Sequence, residues 1–318
     1  MRVLITGGAG FIGSHVVDRC LAAGHDVVVV DNLSTGNRPV VAQAARLAVM
    51  DIRSPDLADV FRAEQPEAVI HLAAQAEVRR SVEQPLFDAD VNIMGSVNLL
   101  ECSRRFGVRQ VIYSSSGGAV YGDTDVLPTP EEQPTRPASP YGVSKLAVEH
   151  YLVCWAGLYG IRGVALRYAN VYGPRQSPLG EAGVVAIFAH RLLAGEPAVI
   201  NGDGLQTRDY VYVGDVAEAN LLALEHDRAT GPVNIGTGVE TSVVELFEQI
   251  RAAVGASAAP EHGPAKPGEQ RRSVVIPARA KRLLGWEPRV SLADGLRRTV
   301  AHFSRETGQG PATTAPRP

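Results

Sequence analysis

Arg2-Val3-Leu4-Ile5-Thr6-Gly7-Gly8-Ala9-Gly10-Phe11-Ile12-Gly13 is the stretch that decides the fold. Its first five residues read as a short buried strand, and an apolar-periodic helical pattern, 12–23, opens behind the glycines. Glycines at 7, 10 and 13 suit three tasks: a tight turn out of the strand, close approach of backbone to a pyrophosphate, and close packing of the helix on a sheet. A helix N-terminus adds N–H groups and the positive end of the dipole, which favour phosphate. A glycine triplet alone also fits a strand–helix turn that binds nothing. The flanking strand and helix turn the reading toward a dinucleotide site.

Outward from this stretch, strand-like apolar runs recur at 2–6, 26–30, 46–50, 68–72, 110–115 and 163–168, with helical patterns near 12–23, 56–64, 88–106 and 141–160. Strands alternating with helices predict an α/β fold with a Rossmann-type doubly wound parallel sheet. Regularity falls after Arg167: Asn170 to Gly183 reads as a long loop, 184–194 as a helix, and 198–200 and 210–213 as short strands. Helices follow at 215–226, 241–253, 279–284 and 292–305, with a strand at 232–235 and a loop at 259–269. The expected division is a nucleotide-binding domain of 1–169 plus about 212–236, and a smaller mixed α/β substrate-binding lobe of about 170–211 plus 237–306. The Gly/Pro/Thr-rich tail, 307–318, is expected to be disordered.

The 318 residues are 45% hydrophobic and 20% charged, an ordinary globular composition. A formal net charge of −3 gives no electrostatic case for nucleic acid or an anionic membrane. No apolar run approaches a membrane span, and Met1 leads straight into the first strand without a signal peptide. Cys20, Cys102 and Cys154 form neither a disulfide framework nor a zinc cluster, and His71 and the other histidines lack metal-ligand spacing. The expectation is a metal-free, reduced cytoplasmic enzyme.

The second strand ends in Asp31-Asn32, about 20 residues past the glycines, where a carboxylate accepts hydrogen bonds from an adenosine ribose diol. It would repel a 2′-phosphate, which favours NAD over NADP. Asp51-Ile52 closes the third strand where adenine is expected, and Leu72-Ala73-Ala74 closes the fourth with small side chains.

Tyr141 and Lys145, four apart at a helix start behind Pro137 and Pro140, face one way. The fifth strand runs out into Ser114-Ser115-Ser116, at the end of the sheet where open α/β folds bind ligands. Lys145 and a cationic nicotinamide would favour ionised Tyr141, able to take a proton from a sugar hydroxyl as hydride leaves the same carbon. Ser116 would hydrogen-bond that oxygen.

With His71-Leu72-Ala73-Ala74 and Arg167-Tyr168-Ala169-Asn170-Val171-Tyr172-Gly173-Pro174 added, the chain resembles the extended short-chain dehydrogenase/reductases, and among them the UDP-glucose (UDP-galactose) 4-epimerases, over about residues 1–305. The resemblance implies Tyr141 as base, Lys145 on the nicotinamide ribose and Ser116 as hydroxyl partner, with Ser115 the fallback. It implies NAD contacts at Gly7, Gly10, Phe11, Ile12, Gly13, Asp31, Asn32, Asp51, Ile52, Leu72, Ala73, Ala74, Ser114 and Tyr168. For a UDP-sugar it implies Asn170, a diphosphate-clamping Arg208, and a second basic contact at Lys266 or Arg271, with Arg272 close behind. It also implies a homodimer built on helices 88–106 and 141–160.

Three departures bear on the reaction. Gly117-Gly118-Ala119 carries no acid where 4,6-dehydratases and decarboxylases of this kind have one, which favours plain 4-epimerisation. Arg175-Gln176 is followed by Ser177-Pro178 without a further arginine, which lowers the alternative of a UDP-glucuronate 4-epimerase. Ser273 stands where a bulky Tyr would exclude N-acetyl sugars, so UDP-GlcNAc also fits.

Overall fold

The structure, a computed structural model, describes residues 1–179, 183–265 and 270–307. The first half runs β1 (Arg2–Thr6), α1 (Phe11–Ala22), β2 (Asp26–Asp31), β3 (Arg46–Val49), α2 (Leu57–Glu64), β4 (Ala68–His71), α3 (Val78–Glu83), α4 (Pro85–Ala89), α5 (Gly95–Arg105), β5 (Gln110–Ser116), α6 (Pro140–Tyr159) and β6 (Arg162–Tyr168). The second continues with β7 (Asn170–Tyr172), α7 (Val184–Leu193), β8 (Val199–Asn201), β9 (Thr207–Arg208), β10 (Tyr210–Tyr212), α8 (Val213–Glu225) and β11 (Gly231–Ile235). Then come β12 (Thr241–Ser242), α9 (Val243–Val254), β13 (Glu261–Gly263), β14 (Arg272–Ser273), α10 (Ala278–Leu284) and α11 (Leu292–Thr307).

Seven strands form one parallel sheet in the order β11-β6-β5-β4-β1-β2-β3. Alternate residues of each strand feed two cores. Val3, Ile5, Val27, Val29 and Leu166 meet α1, α8 and α10 on one face. Leu4, Val30, Val69 and Val111 meet α2, α5 and α6 on the other. Strand order reverses between β1 and β4, so the crevice beyond their C-terminal ends is the sheet's natural ligand position. A separate core of α7, α9 and α11 side chains, including Phe188, Phe247 and Phe303, supports the smaller lobe.

The structure redraws four expected boundaries. The single helix expected over 88–106 is α4, a π-helical turn (Asp90–Met94) and α5. The extra residue in that turn lets buried Asn92 clasp the Gln75 backbone, accepting from its N–H at 2.8 Å and donating to its carbonyl at 2.9 Å. The loop expected at 170–183 begins with a strand, because β7 pairs in parallel with β10. Within the loop expected at 259–269, β13 pairs with β8. Finally, α10 and Trp286 pack on the nucleotide-binding sheet, so the segment 237–306 is shared between the two cores rather than given wholly to the lobe. The tail beyond residue 307 lies outside the described residues.

Trp286 is 1% exposed, and its indole N–H donates to the Asp215 carbonyl at 2.8 Å. Replacing it with Ala removes a large core side chain and leaves that carbonyl without its donor. W286A is expected to cost about 3–5 kcal/mol, read as a lowered urea midpoint.

Candidate active site

The glycine loop is held by contacts that no side chain could share. Gly7 adopts φ +71°, and a Cβ there would lie 2.7 Å from the Ala73 nitrogen. A Cβ at Gly13 would lie 2.0 Å from the Gly7 carbonyl oxygen, and one at Gly10 3.2 Å from the same oxygen. Helix α1 starts at Gly10 with no side-chain cap, and its first turn carries no acid. This cradle fits a dinucleotide pyrophosphate. Phe11 and Ile12 are half-buried in the first turn.

Asp31 is buried at the end of β2, with Oδ2 accepting from the Ala9 N–H at 2.9 Å and Oδ1 from the Leu33 N–H at 2.8 Å. These bonds fix the carboxylate beside the glycine loop. Asn32 donates to Asp51 at 2.9 Å. Asp51 is bound by Arg53 through Nε at 2.9 Å and Nη2 at 2.8 Å, and the guanidinium holds its carboxyl well below the usual range. Ile52 turns its side chain into the core against Gly95. Leu72 and Ala73 donate their N–H groups to Thr6 Oγ1 at 3.2 and 3.1 Å, and with Ala74 they are half-buried.

Behind them His71 lies in a dry hydrogen-bonded chain, Nδ1 to Thr6 Oγ1 at 2.7 Å and Nε2 to Ser96 Oγ at 2.8 Å. Ser96 donates onward to the Asn92 carbonyl. The ring therefore receives a proton at Nδ1 and gives one at Nε2. Burial, with the Lys145 charge adding, pushes its pKa down to about 3, so the imidazole is neutral.

Helix α6 presents the chemistry. Ser139 caps it by accepting from the Gly142 N–H at 3.2 Å, and Pro140 occupies its first turn. The second residue of the helix, Tyr141, lies beside the Ser116 hydroxyl at the end of β5. Burial pushes the phenol up to about 12; the Asp88 charge adds to this and the Ser116 hydroxyl opposes it. Lys145 is buried, donates to the Ser114 carbonyl at 2.9 Å, and has its Nζ 5.7 Å from the Tyr141 ring centre. Burial pulls its ammonium down to about 8, against the pull of Asp88 and Glu149.

Ser115 points the other way. It is buried and donates to Glu149 at 2.5 Å, and Glu149 is clamped by Arg167 at 3.0 and 2.6 Å. Its hydroxyl is committed to that pair, so the structure takes it out of the row of groups facing the crevice. Tyr168 is likewise a core residue: its hydroxyl is paired with Asn220 at 2.8 Å. Glu149 itself went unread in the sequence. Its signal was a lone acid four residues after Lys145 in an apolar helix.

The lobe closes the other side. Strand β9 pairs with β14 so that Arg208 and Ser273 are register partners. A Cβ on Gly118 would lie 3.5 Å from the Ser273 hydroxyl, which places Ser273 against the loop after Ser116. Asn170 donates its N–H to the Asp209 carbonyl at 2.9 Å, which sets it beside the same strand. Asp209 is buried and receives Thr237 and Gly238 N–H groups. Arg208 donates to the Thr207 carbonyl at 2.8 Å. Arg271 is exposed and paired bidentately with Asp203 at 2.9 Å, and Arg272 is paired with Glu240. Lys266 lies outside the described residues.

A parallel sheet with a glycine cradle at its switch point, a serine–tyrosine–lysine group at the end of β5 and a smaller lobe opposite defines an extended short-chain dehydrogenase/reductase. Residues 3–236 match the profile of the "NAD dependent epimerase/dehydratase family", and the chain belongs to that family. It is similar to a UDP-glucose 4-epimerase of Mycolicibacterium smegmatis, 48% identical with 96% of this chain and all of that protein covered. The crystal structure of UDP-glucose 4-epimerase with UDP-glucose from Thermotoga maritima superposes with a TM-score of 0.94 at 48% identity, covering 96% of this chain and 100% of that one. That of the Thermus thermophilus UDP-glucose 4-epimerase complex with NAD gives 0.91 at 47% identity, covering 95% and 99%.

Since a Cβ at position 13 collides with the Gly7 carbonyl, G13A must deform the cradle. Nucleotide released from purified protein by acid and separated by chromatography should include NAD or NADH for the wild type and none for G13A.

Proposed function

We propose that the chain is an NAD-dependent 4-epimerase of UDP-hexoses, interconverting UDP-glucose and UDP-galactose through a 4-keto sugar. The observation that carries this is Tyr141 set beside the Ser116 hydroxyl at the end of β5, with Lys145 Nζ 5.7 Å from its ring centre and bonded to the Ser114 carbonyl, at the end of an NAD-type sheet. NAD is held by the Gly7–Gly13 loop and by Asp31, and when bound it supplies a reversible hydride acceptor and a cationic ring. Tyr141 takes the proton from the sugar O4 and later returns it. Ser116 hydrogen-bonds the same oxygen and keeps it in line with the phenol. The Lys145 ammonium stabilises the phenolate that forms.

Arg208 clamps the diphosphate, with Asn170 beside it, while the sugar ring turns to offer its other face. The small Ser273 leaves room for an N-acetyl group, so UDP-N-acetylglucosamine is a second substrate to assay. The unbridged cysteines Cys20, Cys102 and Cys154 suit a reducing compartment, the cytoplasm.

UDP-galactose given to the enzyme without any other acceptor should yield UDP-glucose. Y141F should lower kcat by about 10²–10⁴-fold with UDP-sugar binding retained. Free NADH building up in solution, or a stable deoxy-keto product, would point to net oxidation or dehydration instead.

The homodimer we propose uses the outer face of α3, α4, α5 and α6. Among the described residues, Leu86 of α4 is 86%, Leu158 and Val153 of α6 are 70% and 63%, and Val82 of α3 is 62% exposed, with Val143 of α6 exposed as well. Exposed apolar side chains on neighbouring helices are the kind of surface that a second copy covers. The double substitution Leu86→Glu, Val153→Glu should convert the wild-type dimer to a monomer in sedimentation velocity.

A further inference from the structure

Asp88 closes α4 and takes no part in the chemistry assigned above. Its carboxylate is 1% exposed, and Oδ1 accepts from two neutral amides, Gln75 Nε2 and Asn92 Nδ2, both at 3.0 Å. Asn92 also donates to Ser144 Oγ at 3.2 Å, and Ser144 donates to the Tyr141 carbonyl at 2.9 Å. An unbroken chain of hydrogen bonds thus runs from Asp88 to the helical turn that carries Tyr141 and Lys145.

From α6, Glu149 faces Lys145, but its charge is matched by the bidentate Arg167 of β6. From β5, Tyr113 places its ring centre 5.0 Å from Lys145 Nζ and stays a neutral phenol, its pKa pushed up by burial. From β4, His71 is neutral. From α4, Asp88 acts on both Tyr141 and Lys145, and it takes its hydrogen bonds from amides rather than from a cation. From α3, Arg79 and Glu83 are exposed and Arg80 stacks on the Phe87 ring at 4.3 Å. Among the described residues around this turn, Glu149 is compensated and Asp88 is the buried negative charge left over.

We propose that Asp88 is a positioning residue for the reaction: the counter-charge that keeps the proton on Lys145 and sets the pH range over which Tyr141 exchanges its own. The amides of Gln75 and Asn92 hold the carboxylate in place and, being neutral, leave its field uncancelled. Its negative charge raises the proton affinity of both members of the pair, opposing desolvation at Lys145 and reinforcing it at Tyr141.

This inference rests on Tyr141 and Lys145 being the proton-transfer pair. The test is D88N in the NAD-loaded enzyme, with kcat/KM for UDP-galactose followed against pH. Asn is isosteric and keeps an oxygen for the two amides. Removing the negative charge lowers the proton affinity of Tyr141 and of Lys145 alike, so the whole bell-shaped profile should move to lower pH, by about half a pH unit or more. D88E, which keeps the charge, should return the profile to its wild-type position. The ultraviolet phenolate titration of cofactor-free protein, taken as a difference from Y141F, should shift the same way. A merely structural Asp88 would lower the rate at every pH and leave profile and titration in place, which overturns the proposal. Should D88N not accumulate as folded protein, D88S gives the same readouts. Failure of the underlying reading shows separately, as full activity in Y141F.

Discussion

Glu149 and Arg167 are both buried, and two charges out of water are tolerated only if nearly every polar atom finds a partner. They find them by drawing in the neighbours: Ser115 on Glu149, and Tyr121 on Arg167 at 2.8 Å, with the Tyr121 hydroxyl passing to Asn234 on β11 at 2.8 Å. One ion pair therefore fixes α6 against β5 and β6 and ties the far edge of the sheet to both. Lys145 sits one helical turn before Glu149 and Ser116 one residue after Ser115, so the same anchor sets the spacing of the catalytic group. Breaking the pair by removing one partner would leave a buried charge alone, which is why so specific an arrangement holds its register.

The cofactor side obeys a steric constraint rather than an electrostatic one. Three of the four loop glycines stand against backbone atoms, and Gly8 stands against Val29, where a Cβ would come within 2.7 Å of Cγ1. The strand, loop and helix are consequently one rigid unit, and Asp31 is fastened to it through the Ala9 N–H. The proposed contacts to the ribose diol and to the pyrophosphate thus fall on one rigid unit.

The glycine loop, the six strands of the first half and the Tyr141–Lys145 spacing were legible because each follows from a local rule: apolar runs, turn stereochemistry, helical periodicity. What was not legible depends on partners distant in sequence. The π-helical turn exists because Asn92 reaches Gln75, and no pattern within 88–106 encodes that bond. The two-residue strands β9, β12 and β14 are too short to show any period, yet they bring Arg208 and Ser273 together. The resemblance chose Ser116 over Ser115, but the physical reason, the claim of Glu149 on the Ser115 hydroxyl, comes from a residue 34 positions away. The burial of Asp88 depends on Gln75 and Asn92, whose amides meet it from outside its own helix, and no local pattern encodes that.

The loop after Ser116 ties structure to reaction type. An elimination or decarboxylation on this scaffold calls for an added acid close to the sugar, and the sequence there is Gly117-Gly118-Ala119. The structure gives a physical reason for the first glycine. A Cβ at 117 would lie 3.0 Å from Val275 Cγ1 and 3.2 Å from the Arg167 and Tyr168 carbonyl oxygens, closer than nearly all real contacts of that kind. The loop lies against the end of β6 and the segment following β14, and its second glycine, Gly118, lies against the Ser273 hydroxyl. Any side chain at 117, an acid included, would have to move Val275 and both carbonyls by a few tenths of an ångström. The close approach of this loop to β6 therefore disfavours an added acid at this position, in keeping with the proposed handling of a single oxygen by Tyr141 and Ser116.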